Sequence, residues 1–159
     1  MDALSRARRR LAVSTLAVVI VAAVAACGDD DSPVEPAVAV TGAWARPTPP
    51  GVDVGAAYFT LEATVDDALI GLSITPDVAA AAELHEVFTD DDGVTEMRQL
   101  PAIELPAGEA VTIETGEAHV MLVDLAAPLE VGDTFALTFD FDVAPDVTIE
   151  VPVTDTPPD

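Results

Sequence analysis

The chain has 159 residues, enough for one domain with short extensions, and a formal net charge of −23 at pH 7. A surface this acidic repels nucleic acid and anionic lipid head groups, so neither is an expected partner. The single cysteine, Cys27, excludes an internal disulfide, cysteine catalysis within the domain that follows it, and a blue-copper site, which needs a cysteine ligand.

The N-terminus predicts an exported lipoprotein. Four arginines between residues 6 and 10 precede an apolar run over 11–26, which is shorter than a membrane-spanning helix and typical of a signal peptide. Small residues directly before Cys27 resemble a lipobox, which implies cleavage of 1–26 and acylation of the cysteine. The alternative is an ordinary signal peptide with an incidental cysteine. In the first case the protein is anchored by lipid to the periplasmic or outer side of the cell membrane, and in both cases it is extracytoplasmic.

Residues 27–39 are predicted to be the lipidated cysteine and a flexible tether. The segment GDDDSPVEPAVA, which follows the cysteine, is acidic, contains proline and has no apolar periodicity. Residues 40–153 are predicted to form a single domain, and 154–159, TDTPPD, a polar tail.

The domain is predicted to consist of strands. Short segments rich in Val, Ile, Thr and Phe are separated by Pro, Gly and Asp turns, a pattern typical of an all-β sandwich or barrel. One segment, 77–83, could also form a short helix on propensity alone. The predicted strands are 40–45, 56–63, 69–74, 82–89, 94–100, 110–114, 118–125, 134–140 and 147–153.

Acidic residues dominate the chain beyond the signal segment. All of the acids except Asp2 lie there, whereas the only cations there are Arg46 and Arg98. Two explanations stay open: adaptation to a saline exterior, and attraction of a cation or of a basic partner protein. No Ser-His-Asp order, nucleotide-binding loop or paired-carboxylate pattern stands out, so no enzyme activity is predicted.

The histidines and methionines of the chain are clustered. Apart from Met1, all of them lie between residues 85 and 121 with the spacing His-x11-Met-x21-His-x-Met. Imidazole and thioether suit copper, and thioether selects Cu(I). The four candidate ligands of one ion are His85, Met97, His119 and Met121. The alternative is two ordinary histidines and two methionines that fill gaps in a core.

Local structure decides whether these side chains can meet. Residues two apart in a strand share a face, so a strand over 118–125 projects His119 and Met121 together, whereas a helix separates them. The turn signal at residues 90–93, DDDG, predicts a hairpin between His85 and Met97. A three- or five-residue loop centred on Asp91 would place those two residues directly opposite each other, and a four-residue loop would offset them by one.

With this spacing the chain resembles the periplasmic copper chaperones of the PCu(A)C type. Their signature is a His, a Met twelve positions later and then, after twenty-one residues, His-x-Met. The similarity extends over about residues 40–153 and includes the segments GAWARPTPPG at 42–51, AAYFTL at 56–61, LIGLSI at 69–74, ELHE at 83–86 and LPAGEAVTIETGEAHVMLVDLAAPLEVGDTF at 105–135. It implies a cupredoxin-like or Ig-like β-sandwich.

The resemblance also implies a function. It indicates a monomeric chaperone that holds Cu(I) and delivers it to an acceptor, either the dinuclear copper centre of cytochrome c oxidase or another copper chaperone. By resemblance, its four ligands are His85, Met97, His119 and Met121. The chain has Glu86 where many members have a methionine after the first histidine, and it lacks the His/Met-rich tail of some members. A copper-scavenging or resistance lipoprotein and a metal-free Ig-like structural lipoprotein are the alternatives.

Overall fold

The computed structural model describes residue 35 and residues 37–89, 93–114 and 118–158. The predicted signal peptide, Cys27 and most of the predicted tether therefore lie outside the described residues. Within the described ranges the chain forms ten strands and no helix, and hence no helix long and apolar enough to cross a membrane. The strands are β1 (Val38–Ala45), β2 (Val54–Ala63), β3 (Asp67–Ile74), β4 (Ala79–Thr89), β5 (Thr95–Gln99), β6 (Ile103–Leu105), β7 (Ala110–Ile113), β8 (Ala118–Leu125), β9 (Thr134–Phe141) and β10 (Val147–Pro152).

The strands build two sheets in which every pair of strands runs antiparallel. The larger, six-stranded sheet has the order β1-β2-β8-β4-β5, and β7 pairs with the second half of β2. The smaller, four-stranded sheet has the order β10-β9-β3-β6. Buried apolar side chains of both sheets form one core cluster. The predicted all-β sandwich in a single domain is confirmed.

The sequence of β9 explains how the sheets face each other. Phe135, Leu137, Phe139 and Phe141 are buried, whereas the residues between them are only partly buried, as the two-residue period of a strand requires. The rings of Phe139 and Phe59, which lies on the larger sheet, meet edge to face with their centroids 4.8 Å apart. This aromatic contact joins the two layers of the sandwich.

The first strand begins slightly earlier than predicted. β1 starts at Val38, which is buried, two residues before the predicted start of the strand. The Ala37 amide donates to the Thr64 hydroxyl at 2.9 Å, and that hydroxyl donates to the Glu35 carbonyl, also at 2.9 Å. The end of the predicted tether is thus hydrogen-bonded to the sheet. The buried side chain of Val38 extends β1, and the Ala37 amide and the Glu35 carbonyl bond to Thr64 beside it.

Two other expectations need correction. The alternative of a helix over 77–83 is wrong, because β4 already begins at Ala79 and pairs with β8 in the interior of the larger sheet. That pairing and burial override the helix propensity of alanine.

The sequence pattern does not predict β6, which has only three residues, too few for an alternation to be recognised. The predicted strands are all present, with ends that differ by a few residues.

One carboxylate is part of this framework. Asp67, at the start of β3, is only 7% exposed and accepts hydrogen bonds from the amides of Ala68 at 2.7 Å, Val143 at 2.9 Å and Ala144 at 2.9 Å. Burial by itself raises the pKa of this carboxyl group. The hydrogen bonds from the backbone outweigh that effect and hold the pKa of Asp67 below its usual value. Asp67 therefore fastens the loop after β9 to the start of β3.

We expect Asp67→Ala to lower the free energy of unfolding by about 3 kcal/mol, because three backbone amides lose their acceptor. The folded pKa lies below the unfolded one. The stabilisation by this carboxylate is therefore present above the unfolded pKa, about 3.9, and is lost as the pH falls through the folded pKa. Urea denaturation across acidic pH measures both effects. The exposed Asp146→Ala is the matched control, and equal stability of the two variants would contradict this role for Asp67.

Candidate metal centre

The two histidines lie opposite each other on neighbouring strands of the larger sheet. In the antiparallel pairing of β4 with β8, His85 is opposite His119 and Glu83 is opposite Met121. The centroids of the two imidazole rings are 6.2 Å apart, and their planes are inclined by 34°. Two imidazoles that each place a nitrogen about 2 Å from a metal are compatible with this separation.

These side chains project from the face of the sheet that is turned away from the core. Val120 and Leu122, which alternate with His119 and Met121 along β8, are fully buried in the core cluster. His119 and Met121 are partly exposed. The predicted strand geometry is confirmed, since β8 projects an imidazole and a thioether together on one face.

Met97 reaches the same face from the hairpin of β4 and β5. The hairpin is confirmed, but direct opposition of His85 and Met97 is wrong: His85 pairs with Gln99, and Met97 pairs with Val87. The five residues between Thr89 and Thr95 are centred on residue 92, one beyond the predicted centre, and this moves the register by two residues. A shift of two preserves the face, so Met97 lies diagonally from His85 on the same side of the sheet.

Three of the four candidate ligands line one surface cavity. Met97, His119 and Met121 form its floor on β5 and β8, together with the start of β2, while its other side is the proline-containing loop between β1 and β2. Met97 is 59% exposed. His85 does not line the cavity, but its ring lies beside that of His119. The fold thus brings all four residues to one region, with one thioether largely open to solvent.

The loop that faces this floor is held by backbone and side-chain hydrogen bonds. The Thr48 amide donates to the Leu129 carbonyl at 2.9 Å, and the Leu129 amide donates to the Thr48 hydroxyl at 2.9 Å. A turn follows, in which the Val52 amide donates to the Pro49 carbonyl at 3.2 Å and Gly51 adopts a φ of 83°, a conformation that favours glycine. The wall of the cavity is therefore fixed by its own residues.

A carboxylate that the sequence analysis does not single out lies next to His85. Glu83 Oε2 is 2.9 Å from His85 Nε2, and the side chains are 35% and 14% exposed. The other ring nitrogen of His85, Nδ1, is buried and has no hydrogen-bond partner among the described residues. Strand parity could have indicated Glu83, because residues two apart in β4 share a face.

Glu86, by contrast, belongs to the other face of β4. It pairs with Arg98 of β5, whose guanidinium Nε donates to its carboxylate, and the same guanidinium lies 4.8 Å from the centroid of the Phe88 ring. Because neighbouring residues of a strand face opposite sides of the sheet, Glu86 points away from the side of His85. Glu86 therefore contributes an ion pair to the hairpin and not a side chain to the cavity.

The donor groups that meet in this region are two imidazoles and two thioethers, a set that is chemically suited to Cu(I). Among the described residues, no group of three or more His, Cys, Asp or Glu side chains is placed so that it could hold one metal ion.

The strand-forming domain matches a known family along its length. The family model "Putative lipoprotein LpqE-like" matches residues 38–153. The chain belongs to the LpqE-like family. It is 30% identical over 118 residues to "Putative lipoprotein Lxx21020" of Leifsonia xyli subsp. xyli (strain CTCB07), covering 74% of this chain and 70% of that protein. It is also 36% identical over 118 residues to uncharacterized protein RP573 of Rickettsia prowazekii (strain Madrid E), covering 72% of this chain and 65% of that protein, just under two thirds of its length.

Solved structures show the same fold. A copper-bound PCuAC domain from PmoF2 is similar with a TM-score of 0.60 and 26% identity, covering 75% of this LpqE-like chain and 93% of that domain. The solution structure of Cu(I)-DR1885 from Deinococcus radiodurans is similar with a TM-score of 0.57 and 26% identity, covering 81% and 83% of the two chains. The resemblance to the PCu(A)C type and the cupredoxin-like fold class are confirmed.

Proposed function

We propose that this protein binds one Cu(I) ion outside the cytoplasm through His85, Met97, His119 and Met121 and passes it to an acceptor protein. The observation that carries the proposal is the convergence of these four side chains on one face of the larger sheet, three of them in a single cavity. The similarity to a copper-bound PCuAC domain supports it.

The ligand set suits transfer better than catalysis. Two neutral imidazoles and two thioethers leave the bound ion with a charge of about +1, and they favour the soft Cu(I) state. Met97 is the most exposed of the four side chains. An incoming ligand of the acceptor would therefore displace its thioether first, while the less exposed donors still hold the ion.

The acceptor we propose is the dinuclear copper centre of cytochrome c oxidase or another copper chaperone, reached from a lipid-anchored position. A scavenging protein would use the same site without a dedicated acceptor, and an Ig-like structural lipoprotein would bind no copper. The lipoprotein names of the family and of the relative from Leifsonia xyli support the anchor. The acidic surface favours the approach of a cation or of a basic protein.

The site assignment is tested by removing one sulfur at a time. We expect Met97→Leu and Met121→Leu each to weaken Cu(I) binding more than about 100-fold. Removing a residue that is hydrogen-bonded to a metal ligand typically costs about 10- to 100-fold in metal affinity, and removing the ligand itself should cost more. Leucine preserves the apolar volume. The measurement is a titration against a competing Cu(I) chelator in a Cys27→Ser background, which removes the only thiol.

The matched control for this titration is Val52→Ala. Val52 is 41% exposed and lines the same cavity, but it carries no donor atom. Wild-type affinity in both methionine variants would contradict the assignment of the site. A wild-type chain that binds no copper would favour the metal-free structural alternative.

A deletion strain separates delivery from scavenging. If the protein supplies copper to the oxidase, deletion should lower the copper content and activity of cytochrome c oxidase in copper-limited cells, and added copper should restore both. The wild-type gene should complement the defect, whereas Met121→Leu should not. Oxidase with its full copper content in the deletion strain, together with lower tolerance of excess copper, would indicate scavenging instead.

Acylation of Cys27 should hold the domain at the membrane, because two or more acyl chains make a stable anchor. Of the predicted tether over 28–39, the part before Glu35, whose carbonyl is hydrogen-bonded to Thr64, would have an r.m.s. length of about 15 Å if it behaves as a flexible chain, which keeps the site close to membrane-bound acceptors. We expect Cys27→Ser to move the protein into soluble fractions with unchanged copper stoichiometry. If this variant stays in membranes, N-terminal sequencing distinguishes an uncleaved signal segment from an incorrect lipobox prediction.

A further inference from the structure

We propose that Glu83 is a positioning residue for the copper site, and that it fixes His85 in the tautomer that binds copper through Nδ1. This inference rests on the proposed function, but it concerns a residue that the sequence analysis does not single out. It starts from the hydrogen bond between Glu83 Oε2 and His85 Nε2, and from Nδ1 of the same ring, which is buried and has no hydrogen-bond partner in the described part of the chain.

The hydrogen bond between Glu83 and His85 determines which ring nitrogen of His85 carries the proton. A carboxylate only accepts hydrogen bonds, so the 2.9 Å contact requires that Nε2 of His85 carries the proton. In a neutral imidazole the other nitrogen, Nδ1, then carries the free lone pair. Nδ1 is buried and no described residue donates a hydrogen bond to it, so its lone pair is suited to a metal ion.

The surroundings put the His85 ring beside the proposed site. The His85 ring is 14% exposed and lies beside the ring of His119, which lines the cavity with Met97 and Met121. Glu83 is opposite Met121 in the register, so the carboxylate belongs to the same face and borders the same donor set. The arrangement matches a general pattern in which a metal-binding histidine donates its other N–H to a carboxylate.

The consequence for binding is twofold. The hydrogen bond holds the ring in one orientation and one tautomer before the ion arrives, so less ordering is needed on binding. The negative charge of Glu83 also makes the imidazole a stronger donor and partly balances the charge of the ion. Loss of a hydrogen-bond partner of this kind typically lowers metal affinity about 10- to 100-fold.

The first test reads the tautomer directly. The chain has only two histidines, so long-range ¹H–¹⁵N correlation spectra of the ¹⁵N-labelled full chain, with Cys27→Ser and in detergent, contain two imidazole systems. His119→Gln assigns the remaining one to His85. Without metal we expect His85 to be protonated at Nε2, and on addition of Cu(I) we expect Nδ1 to shift. Copper-induced change at Nε2, with the proton on Nδ1, would overturn the proposal.

The second test compares two glutamates of the same strand. We expect Glu83→Ala to lower Cu(I) affinity about 10- to 100-fold with the stoichiometry kept at one ion, and to leave His85 as a mixture of tautomers. Glu83→Gln, which retains an acceptor oxygen but no charge, should recover part of the affinity. Glu86→Ala is the matched control, because Glu86 lies on the opposite face and pairs with Arg98.

The outcomes keep the two proposals apart. Wild-type affinity in Glu83→Ala, with Cu(I) still bound by the wild-type chain, would overturn the role of Glu83 and leave the copper site intact. A wild-type chain that binds no Cu(I) would overturn the proposed function. The tautomer of His85 in the metal-free protein would still decide whether Glu83 orients the ring.

Discussion

The pairing of β4 with β8 is the constraint on which the site depends. This register puts His85 opposite His119 and Glu83 opposite Met121, so that two imidazoles, a thioether and a carboxylate occupy adjacent positions on one face. Because side chains alternate along a strand, a slip of one residue would turn one strand's set of these side chains into the core. The site therefore exists only as long as this register is maintained.

The core of the sandwich maintains it. Leu84, Val120 and Leu122 lie on the opposite face of the same two strands and are buried against the second sheet. A slip of β4 or β8 by one residue would expose these apolar side chains and bury polar ones. The free energy of folding lost in this way is far larger than any gain from the new strand pairing. The apolar residues of the interior thus fix the positions of the polar residues of the site, although they do not touch it.

The sequence predicts most of the fold because its signals are local. Alternation of apolar residues identifies the long strands, and the spacing of two between His119 and Met121 is enough to place them on one face. The pairing of distant strands is not local, so the relation of His85 to His119 rests on the fold. Family resemblance, and not strand pattern, indicates that the hairpin and β8 come together.

The errors have physical causes. An alanine-rich start of β4 has the propensity of a helix, and only its neighbours in the sheet make it a strand. The partner of Met97 in the hairpin depends on the residue at the centre of the loop between β4 and β5. The turn sequence leaves that centre uncertain by one residue, and a change of one residue in the centre moves the pairing of β4 with β5 by two residues. Glu83 is one of many acidic residues in the chain, so the sequence does not distinguish it from the others. Its hydrogen bond to His85 is seen only in the structure.

X-ray absorption spectroscopy of the Cu(I)-loaded protein tests the central claim most directly, because it counts the atoms bound to the metal. With Cys27→Ser, the only sulfur atoms beyond the signal segment are those of Met97 and Met121. We expect two sulfur and two imidazole nitrogen neighbours around each copper ion. A copper environment made only of nitrogen and oxygen, with no sulfur, would contradict it.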